Sequence, residues 1–397
     1  MSLLLALAGK PNSGKSTFFR AATLKDVEIA NYPFTTIKPN HGVGRVRAPC
    51  PCREVGPLCG RCEDGLRHVG VELLDVAGLV PGAHMGRGLG NAFLDEIRQA
   101  AAVLHIVDAS GGTDAEGNPV QVGTRDPLED VRFLEDELGM WMAGILERNW
   151  AHLARKAQTA PRGGLAEMVA EQMGGAGVTM SQVKDAMGEL GLPEDAGKWS
   201  EASRIEVAKR LRVLSKPTVV VANKADVAPP DNIARLRGLE REGYVVVSAS
   251  AEAELALQLA AENGLLEYRS GDPEFRLKDG VTLSAPQQRA LDKIADFMKR
   301  NGGTGVQQAL DAAVYRLLHH IVVYPVEDEA HYADKKGNVL PDSFLLPQGS
   351  TPRDLAAAVH TDLAQGFLYA VNARGRMRLS DRYELQHGDV VKIVSTK

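Results

Sequence analysis

The sequence predicts an α/β fold with a mostly parallel sheet, a helical insertion and a small strand-rich domain at the C-terminal end. A glycine-rich loop at residues 9–16 directly follows an apolar run at residues 3–8. Further apolar runs at residues 69–74 and 217–222 end in polar turns, as the buried strands of a parallel sheet do. Helical periodicity at residues 126–215 lies between these two runs, so the chain must leave the first domain and return to it.

The composition is that of an ordinary globular protein large enough for two or three domains. Of its 397 residues, 44% are hydrophobic and 24% are charged. The 51 acidic and 46 basic side chains give a net charge of −5, so any contact with nucleic acid must come from a local basic patch. Since no apolar stretch is long enough to span a bilayer, we expect a cytoplasmic protein with no membrane partner and no DNA-specific site.

The loop at residues 9–16 reads G-K-P-N-S-G-K-S, which is the pattern of a phosphate-binding loop. Gly9 and Gly14 permit a tight turn in which successive N–H groups point at one anionic centre. We expect Lys15 to contact the β- and γ-phosphates of a nucleotide and Ser16 to bind Mg²⁺. The other nucleotide contacts expected in this loop come from Pro11, Asn12, Ser13 and Thr17.

A second phosphate-contacting motif, D-V-A-G, ends the strand predicted before it. Asp75 is placed to hold Mg²⁺ through water, and the backbone N–H of Gly78 is placed to meet a γ-phosphate. Between the two motifs, residues 31–40 contain two threonines, one of which is expected to close over Mg²⁺ and the γ-phosphate. We favour Thr36 for this role and as a magnesium ligand, with Thr35 as the alternative.

A third motif, N-K-A-D, predicts that the base is guanine. The Asp226 carboxylate can accept two hydrogen bonds from guanine N1–H and the 2-amino group, whereas adenine offers no such donor pair. Lys224 is expected to lie along the base plane, and Asn223 is expected to tie this turn to the phosphate loop. After a further strand, the backbone N–H of Ala249, preceded by Ser248, is expected to approach guanine O6.

The cysteines form one cluster with the spacing C-x-C-x6-C-x2-C, made of Cys50, Cys52, Cys59 and Cys62. Four thiolates this close suit a tetrahedral Zn²⁺ that orders a short loop with little core of its own. An iron–sulfur cluster stays an alternative. Because the segment interrupts a predicted β-hairpin, we expect residues 48–64 to protrude as a structural zinc knuckle.

Several longer stretches resemble one family. The runs N-Y-P-F-T-T-I-K-P-N, D-V-A-G-L-V-P-G-A and G-R-G-L-G-N-A-F-L-D-E-I-R are similar to those of the Obg/YchF family of translation-factor-class GTPases. YchF proteins proper usually carry glutamate where Asp226 stands and prefer ATP. This chain resembles the archaeal and eukaryotic YchF-related branch that retains N-K-x-D. The stretches L-P-Q-G-S-T-P-R-D-L-A and H-G-D-V-V-K-I-V resemble the TGS domain, a small β-grasp module.

The resemblance implies binding of GTP or GDP with Mg²⁺, slow GTP hydrolysis, and action on the ribosome or in translation. Many GTPases place a glutamine after the second motif to orient the attacking water, but this chain has Leu79 there. Related GTPases with asparagine at the position of Asn12 use it to hold K⁺, so we predict that K⁺ accelerates turnover. The candidate catalytic residues are Asn12, Lys15, Thr36 and Gly78.

The motifs divide the chain into domains. We expect a nucleotide-binding domain at residues 1–125 and 216–320, a helical insertion at residues 126–215 and a TGS domain at residues 321–397. The TGS domain carries four arginines in a basic run that suits the phosphates of ribosomal RNA. They are Arg374, Arg376, Arg378 and Arg382.

Two other functions remain open from the sequence. One is a nucleotide-dependent RNA-binding or scaffold protein in which hydrolysis is incidental. The other is an ATPase of the YchF type, against which Asp226 argues. The sequence predicts neither an oligomeric state nor a cellular target.

Overall fold

The computed structural model describes residues 3–23, 40–56, 58–78, 82, 96–158 and 164–396 of the protein, and its main sheet has seven strands. Its strands are β1 (Leu4–Ala8), β2 (His41–Pro49), β3 (Cys62–Glu63), β4 (Leu66–Asp75), β5 (Ala102–Asp108), β6 (Thr218–Asn223) and β7 (Val245–Ser248). They follow the order β2-β4-β1-β5-β6-β7, with β3 also paired to β4.

The pairs from β4 through β1, β5 and β6 to β7 are parallel, whereas β2 and β3 run antiparallel to β4. This confirms the predicted mostly parallel sheet. Every residue of β5 is buried, as expected for a strand covered on both faces. Because the carboxyl ends of parallel strands meet at one edge, the turns after β1, β4, β6 and β7 lie together there.

Helices flank this sheet and form a separate block between β5 and β6. α2 begins at Pro127, and the preceding Asp126 accepts the backbone N–H of Leu128 at 3.0 Å, which caps the helix. The helices are α1 (Lys15–Ala22), α2 (Pro127–Glu147), α3 (Trp150–Ala157), α4 (Gly164–Met173), α5 (Met180–Glu189), α6 (Glu201–Ser215), α7 (Pro230–Gly238), α8 (Ala251–Glu262), α9 (Ala285–Asn301) and α10 (Val306–Asp311).

The block from α2 to α6, here called the helical block, is the predicted insertion. Its two long helices, α2 and α6, pack against each other. The block has a hydrophobic core of its own, which includes Met142, Val169 and Leu211. The rings of Trp150 and Trp199 stack there with their centroids 5.2 Å apart. The apolar residues that give residues 126–215 their helical periodicity therefore pack against one another inside the chain.

The C-terminal domain pairs a mixed five-stranded sheet with two short helices. A two-stranded ribbon, β8 (Leu266–Glu267) and β9 (Arg276–Leu277), precedes it in the chain. The sheet order is β11-β10-β14-β12-β13. Its elements are β10 (His320–Val326), β11 (Phe344–Pro347), α11 (Pro352–Val359), α12 (Thr361–Gln365), β12 (Phe367–Asn372), β13 (Met377–Leu379) and β14 (Val390–Ser395).

The start of α11 follows its sequence signature, but its end does not. The Thr351 N–H donates to the Asp354 carboxylate at 2.8 Å, as the capping pattern predicts. The apolar residues from Leu355 to Leu363 predict a single helix over residues 355–363. Instead, His360 is extended with φ −163°, and its Nδ1 accepts the Asp362 N–H at 3.1 Å, which starts a second helix.

Within the described ranges, the helices do not combine the length and apolar character needed to cross a bilayer.

Candidate nucleotide-binding site and cysteine cluster

The phosphate loop joins β1 to α1 in a conformation that requires glycine at two positions. Gly14 has φ +90°, and a Cβ there would lie 2.3 Å from Nδ2 of Asn223. A Cβ on Gly9 would lie 2.4 Å from the carbonyl oxygen of Ile106. The loop therefore closes against its neighbours through bare backbone, and α1 begins directly after it with the unpaired N–H groups of its first turn.

The loop also contains a buried hydroxyl that makes no hydrogen bond to the described residues. Ser13 is fully buried, and its Oγ has no hydrogen-bond partner among the described residues. An orphaned donor beside a glycine cradle and a helix N-terminus fits an anionic phosphate. The residues present thus suit the group that the sequence motif implies.

Lys15 and Ser16 both contact Asp75 across the sheet edge. Lys15 Nζ lies 2.5 Å from Asp75 Oδ1, and Ser16 Oγ donates to Asp75 Oδ2 at 3.1 Å. The adjacent, parallel strands β1 and β4 set this geometry, since Leu7 is in register with Asp75. The second motif also approaches the loop, because a Cβ on Gly78 would lie 3.0 Å from Cγ of Pro11.

The turn after β6 is tied to the phosphate loop as the sequence suggests. Asn223 Nδ2 donates to the Ser13 carbonyl at 3.0 Å, and Asn223 Oδ1 accepts the Ala251 N–H at 3.1 Å. Lys224 Nζ donates to the Asn12 carbonyl at 2.8 Å. Asp226 is exposed, and its carboxylate accepts no hydrogen bond from the residues that the structure describes.

The turn after β7 is tied to β6 through the backbone of Ala249. The Ala249 N–H donates to the Ala222 carbonyl at 2.9 Å, and Ala249 is fully buried. This N–H therefore already has an acceptor inside the protein, and its contact with guanine O6 stays a prediction. The Ala249 carbonyl accepts the Ala225 N–H at 3.0 Å, which positions the turn after β6. The Ser248 hydroxyl is buried without a partner among the described residues.

Asn12 takes a left-handed conformation with φ +59°, and its Nδ2 donates to the Gly117 carbonyl at 3.0 Å. Gly117 belongs to the turn after β5, for which the sequence predicted no role. The acceptor Oδ1 of Asn12 has no described partner. Thr35, Thr36 and Leu79 lie outside the described residues.

Sequence reasoning missed a set of polar residues beside the loop. Asp108, at the end of β5, accepts hydrogen bonds from Ser110 at 2.5 Å, Thr113 at 2.8 Å and Lys224 at 2.9 Å. Burial opposes ionisation of Asp108, but these bonds outweigh it and lower its pKa. An aspartate at the end of a buried parallel strand was the signal available for finding it.

The four cysteine sulfurs form a compact cluster at the tip of the hairpin made by β2 and β4. All lie within 4.8 Å of one another, with Cys50 to Cys59 at 3.7 Å and Cys52 to Cys62 at 3.5 Å. A tetrahedron with Zn–S bonds of about 2.3 Å has edges of about 3.8 Å, whereas a disulfide is about 2.05 Å long. Burial raises the pKa of Cys62 to about 11, so a cation is needed to hold this sulfur as a thiolate at neutral pH.

The sheet order, the phosphate loop and the N-K-A-D turn define the class of P-loop GTPases. Three family descriptions match parts of the chain. "50S ribosome-binding GTPase" matches residues 4–131, "Obg-like GTPase YGR210-like, G4 motif-containing domain" matches residues 221–328, and "TGS domain" matches residues 331–395. The chain belongs to the YchF-like branch of the Obg family of GTPases.

Relatives and solved structures support this membership. The chain is 48% identical to a GTP-binding protein of Methanocaldococcus jannaschii, over 99% of each chain. It is 32% identical to the ribosome-binding ATPase YchF of Bacillus subtilis, over 98% of each chain. A GTP binding protein from Pyrococcus horikoshii is 40% identical over the full length of both chains, and its structure matches with a TM-score of 0.77.

Proposed function

We propose that this protein is a GTP-hydrolysing switch that acts on the ribosome or in translation. The observation that carries the choice of nucleotide is the exposed carboxylate of Asp226, which accepts no bond from the described residues. Asn223 and Ala249 fix the turn that bears it beside the phosphate loop. Two carboxylate oxygens suit the N1–H and 2-amino donors of guanine, and adenine would leave them unmatched.

At the phosphate end, backbone N–H groups of the loop and Lys15 would hold the β- and γ-phosphates. Lys15 now pairs with Asp75, so phosphate binding would draw its ammonium away from this carboxylate. The proposed nucleotide contacts are Gly9, Pro11, Asn12, Ser13, Gly14, Lys15, Ser16, Thr17, Asn223, Lys224, Asp226, Ser248 and Ala249.

Magnesium would be held by Ser16 and Thr36 directly and by Asp75 through water. Ser16 and Asp75 are already in contact, since Ser16 Oγ donates to Asp75 Oδ2 at 3.1 Å. When bound, Mg²⁺ neutralises charge on the phosphate oxygens as the γ-phosphoryl group is transferred.

Hydrolysis is expected to be slow without further help, because Leu79 offers no group that orients water. Asn12 Oδ1 is the acceptor available for a K⁺ ion beside the phosphates, since its Nδ2 is used by Gly117. Turnover is therefore expected to rise when K⁺ replaces Na⁺. Equal rates in the two salts, or K⁺ stimulation that survives Asn12→Ala, would contradict this role.

Ribosome association is proposed from two sources: the relatives named as ribosome-binding, and the arginines of the C-terminal domain. Arg374 is already paired with Glu54, at 2.7 and 2.8 Å, so it is not available to RNA in this arrangement. Arg376, Arg378 and Arg382 are exposed, and Arg378 lies 4.4 Å from the ring centre of Tyr369. Such a stacked guanidinium keeps its charge toward solvent and phosphate.

We also propose that Cys50, Cys52, Cys59 and Cys62 bind a structural Zn²⁺. The sulfur spacings and the hairpin-tip position support a closed four-sulfur site with no open coordination position. Metal analysis of the purified protein tests this directly. One zinc per chain is expected, whereas four titratable thiols and no metal in the native protein would refute the site.

Calorimetric titration with GTP and with ATP tests the nucleotide assignment. The wild type is expected to bind GTP more tightly, and Asp226→Glu is expected to lose that preference. Tighter ATP binding by the wild type would favour an ATPase of the YchF type. Ribosome co-sedimentation in the GTP and GDP states tests the switch, because binding that ignores the nucleotide would favour a scaffold protein.

A further inference from the structure

The cysteine cluster lies against the C-terminal domain as well as at the tip of its own hairpin. From here "knuckle" means residues 50–65 rather than the predicted residues 48–64, because β2 extends to Pro49 and β4 begins at Leu66. Apart from one short turn of 3₁₀ helix and the two residues of β3, the described part of the knuckle has no regular structure. Its order therefore depends on cross-linking by a metal and on what it packs against.

Arg67 connects the cluster to the C-terminal domain. It is only 4% exposed; its Nη1 lies 3.8 Å from Sγ of Cys59, and its Nη2 donates to the Leu340 carbonyl at 3.0 Å. A centre of one Zn²⁺ and four thiolates carries two net negative charges. A buried guanidinium beside it offsets part of that charge and binds the carbonyls of the facing loop with its remaining donors.

Glu54 makes the second connection. It follows Cys52 by two residues and accepts both guanidinium arms of Arg374, at 2.7 and 2.8 Å. The Tyr332 hydroxyl donates to the same carboxylate at 3.2 Å. The two parallel N–H···O bonds make this a bidentate ion pair, the stronger geometry for a guanidinium and a carboxylate.

Tyr324 makes the third connection, from inside the contact between the two domains, here called the joint. This side chain on β10 is fully buried, and its hydroxyl donates to the Pro49 carbonyl at 3.0 Å. Cys50 and Cys52 belong to the same hydrophobic cluster as Tyr324 and Leu340. The contact between the two domains thus involves Glu54 and Pro49, each within two positions of a cysteine, and Arg67, whose Nη1 lies 3.8 Å from the Cys59 sulfur.

We infer that the four-cysteine metal centre is a latch that fixes the C-terminal domain against the nucleotide-binding domain. Removing the metal would disorder the knuckle and with it the contacts of Glu54 and Arg67, so the joint would loosen while each domain kept its own fold. The inference rests on the zinc site proposed above and is independent of which nucleotide binds.

Hydrogen–deuterium exchange on the full-length protein, before and after zinc is removed by a chelator, tests the latch. Amides of residues 330–341 and 372–376 are expected to exchange at least about tenfold faster without metal, because they face the knuckle. The amides of β1 and β14 serve as internal controls and are expected to stay protected. Unchanged exchange in the two facing segments, with zinc shown to be gone, would overturn the latch and leave the zinc site standing.

A pair of variants tests the latch with the metal in place. Glu54→Gln removes the ion pair to Arg374 without touching a cysteine, and it is expected to retain zinc while exchange rises about threefold or more at residues 372–376. Arg378→Gln is the matched control, since Arg378 stacks on Tyr369 and is expected to leave that exchange unchanged. Equal amide exchange at residues 372–376 in the two variants would count against the latch. Protein that never contains zinc would instead refute the metal site itself, and GTP titration of the same samples would report separately on the nucleotide site.

Discussion

Lys10 of the phosphate loop and Asp130 of α2 form a buried ion pair, with Nζ 2.7 Å from Oδ2 and side-chain exposures of 3% and 5%. Lys10 Nζ also donates to the Thr113 carbonyl at 2.8 Å, so this lysine points away from the phosphate site. Seven residues further along α2, Glu137 accepts the N–H of Gly82 at 2.7 Å. One helix of the helical block thus contacts the phosphate loop and the segment that follows the second phosphate motif.

Neutralising only one partner of this pair is expected to lower the free energy of unfolding far more than removing both charges. When Asp130 is neutralised alone, the buried Lys10 ammonium keeps its charge and loses its carboxylate partner. Asp130→Asn leaves a buried cation and is expected to lower the free energy of unfolding by about 3–5 kcal/mol, and Lys10→Met/Asp130→Asn by less. Urea denaturation of the single and double variants checks the order.

The control lies on the same helix. Asp136 pairs with Lys209 at 2.8 Å, but the side chains are 67% and 47% exposed. Asp136→Asn is expected to cost less than about 1 kcal/mol. If it costs as much as Asp130→Asn, burial is not what makes the Lys10 pair important.

Asp75→Asn is expected to change nucleotide affinity in opposite directions with and without magnesium. Without Mg²⁺, Asp75 repels the phosphates and holds Lys15 at 2.5 Å, so its neutralisation is expected to raise GTP affinity about threefold to tenfold. With Mg²⁺, the variant is expected to bind less tightly than the wild type because a ligand-orienting carboxylate is gone. GTP titrations in a magnesium buffer and in a chelator buffer measure both effects, and a loss of equal size in the two buffers would contradict the proposal.

Gly14→Ala is expected to reduce GTP affinity by about 100-fold or more. The added Cβ would clash with Nδ2 of Asn223, whose side-chain amide is held by one hydrogen bond from Nδ2 and one to Oδ1, so the phosphate loop and the guanine turn would move apart. Gly264→Ala is the matched control, because Gly264 also has positive φ, +74°, but a Cβ there meets nothing within 4 Å. That control is expected to bind GTP normally and to lose only about 1 kcal/mol of stability.

Asp311→Asn is expected to stabilise the protein at neutral pH. Burial raises the pKa of Asp311 from 3.8 to about 6, against the opposing hydrogen bond from the Arg47 N–H at 3.1 Å. Between these two values the folded state binds more protons than the unfolded state, so this carboxyl lowers stability as pH rises through the window. The variant is expected to be more stable than the wild type by on the order of 1 kcal/mol at pH 7, and equal to it below about pH 4. Chemical denaturation across this range checks the slope.

The sequence predicted those parts of the site that local motifs determine. The phosphate loop, Asp75 and the Asn223 turn are short runs at strand ends, and parallel topology brings strand ends together. The Lys10–Asp130 pair was not predictable in this way, because it joins residues 120 positions apart through the packing of α2. The same applies to the contact between Glu54 and Arg374, whose separation is 320 residues. The bond from the Ala249 N–H to the Ala222 carbonyl was also not predictable from the motif, since only the folded sheet brings these two groups together.

The separate core of the helical block has a consequence for how the protein melts. Its buried side chains run from Met142 to Leu211 and form a cluster distinct from the one that joins β1, the knuckle and β10. These two clusters are therefore candidate units of cooperative unfolding. Ligand bound at the phosphate loop would protect the larger unit directly and would reach the smaller one chiefly through α2. Heat denaturation is then expected to show a separate transition for each of these units, and the difference between their melting temperatures is expected to grow as nucleotide is added.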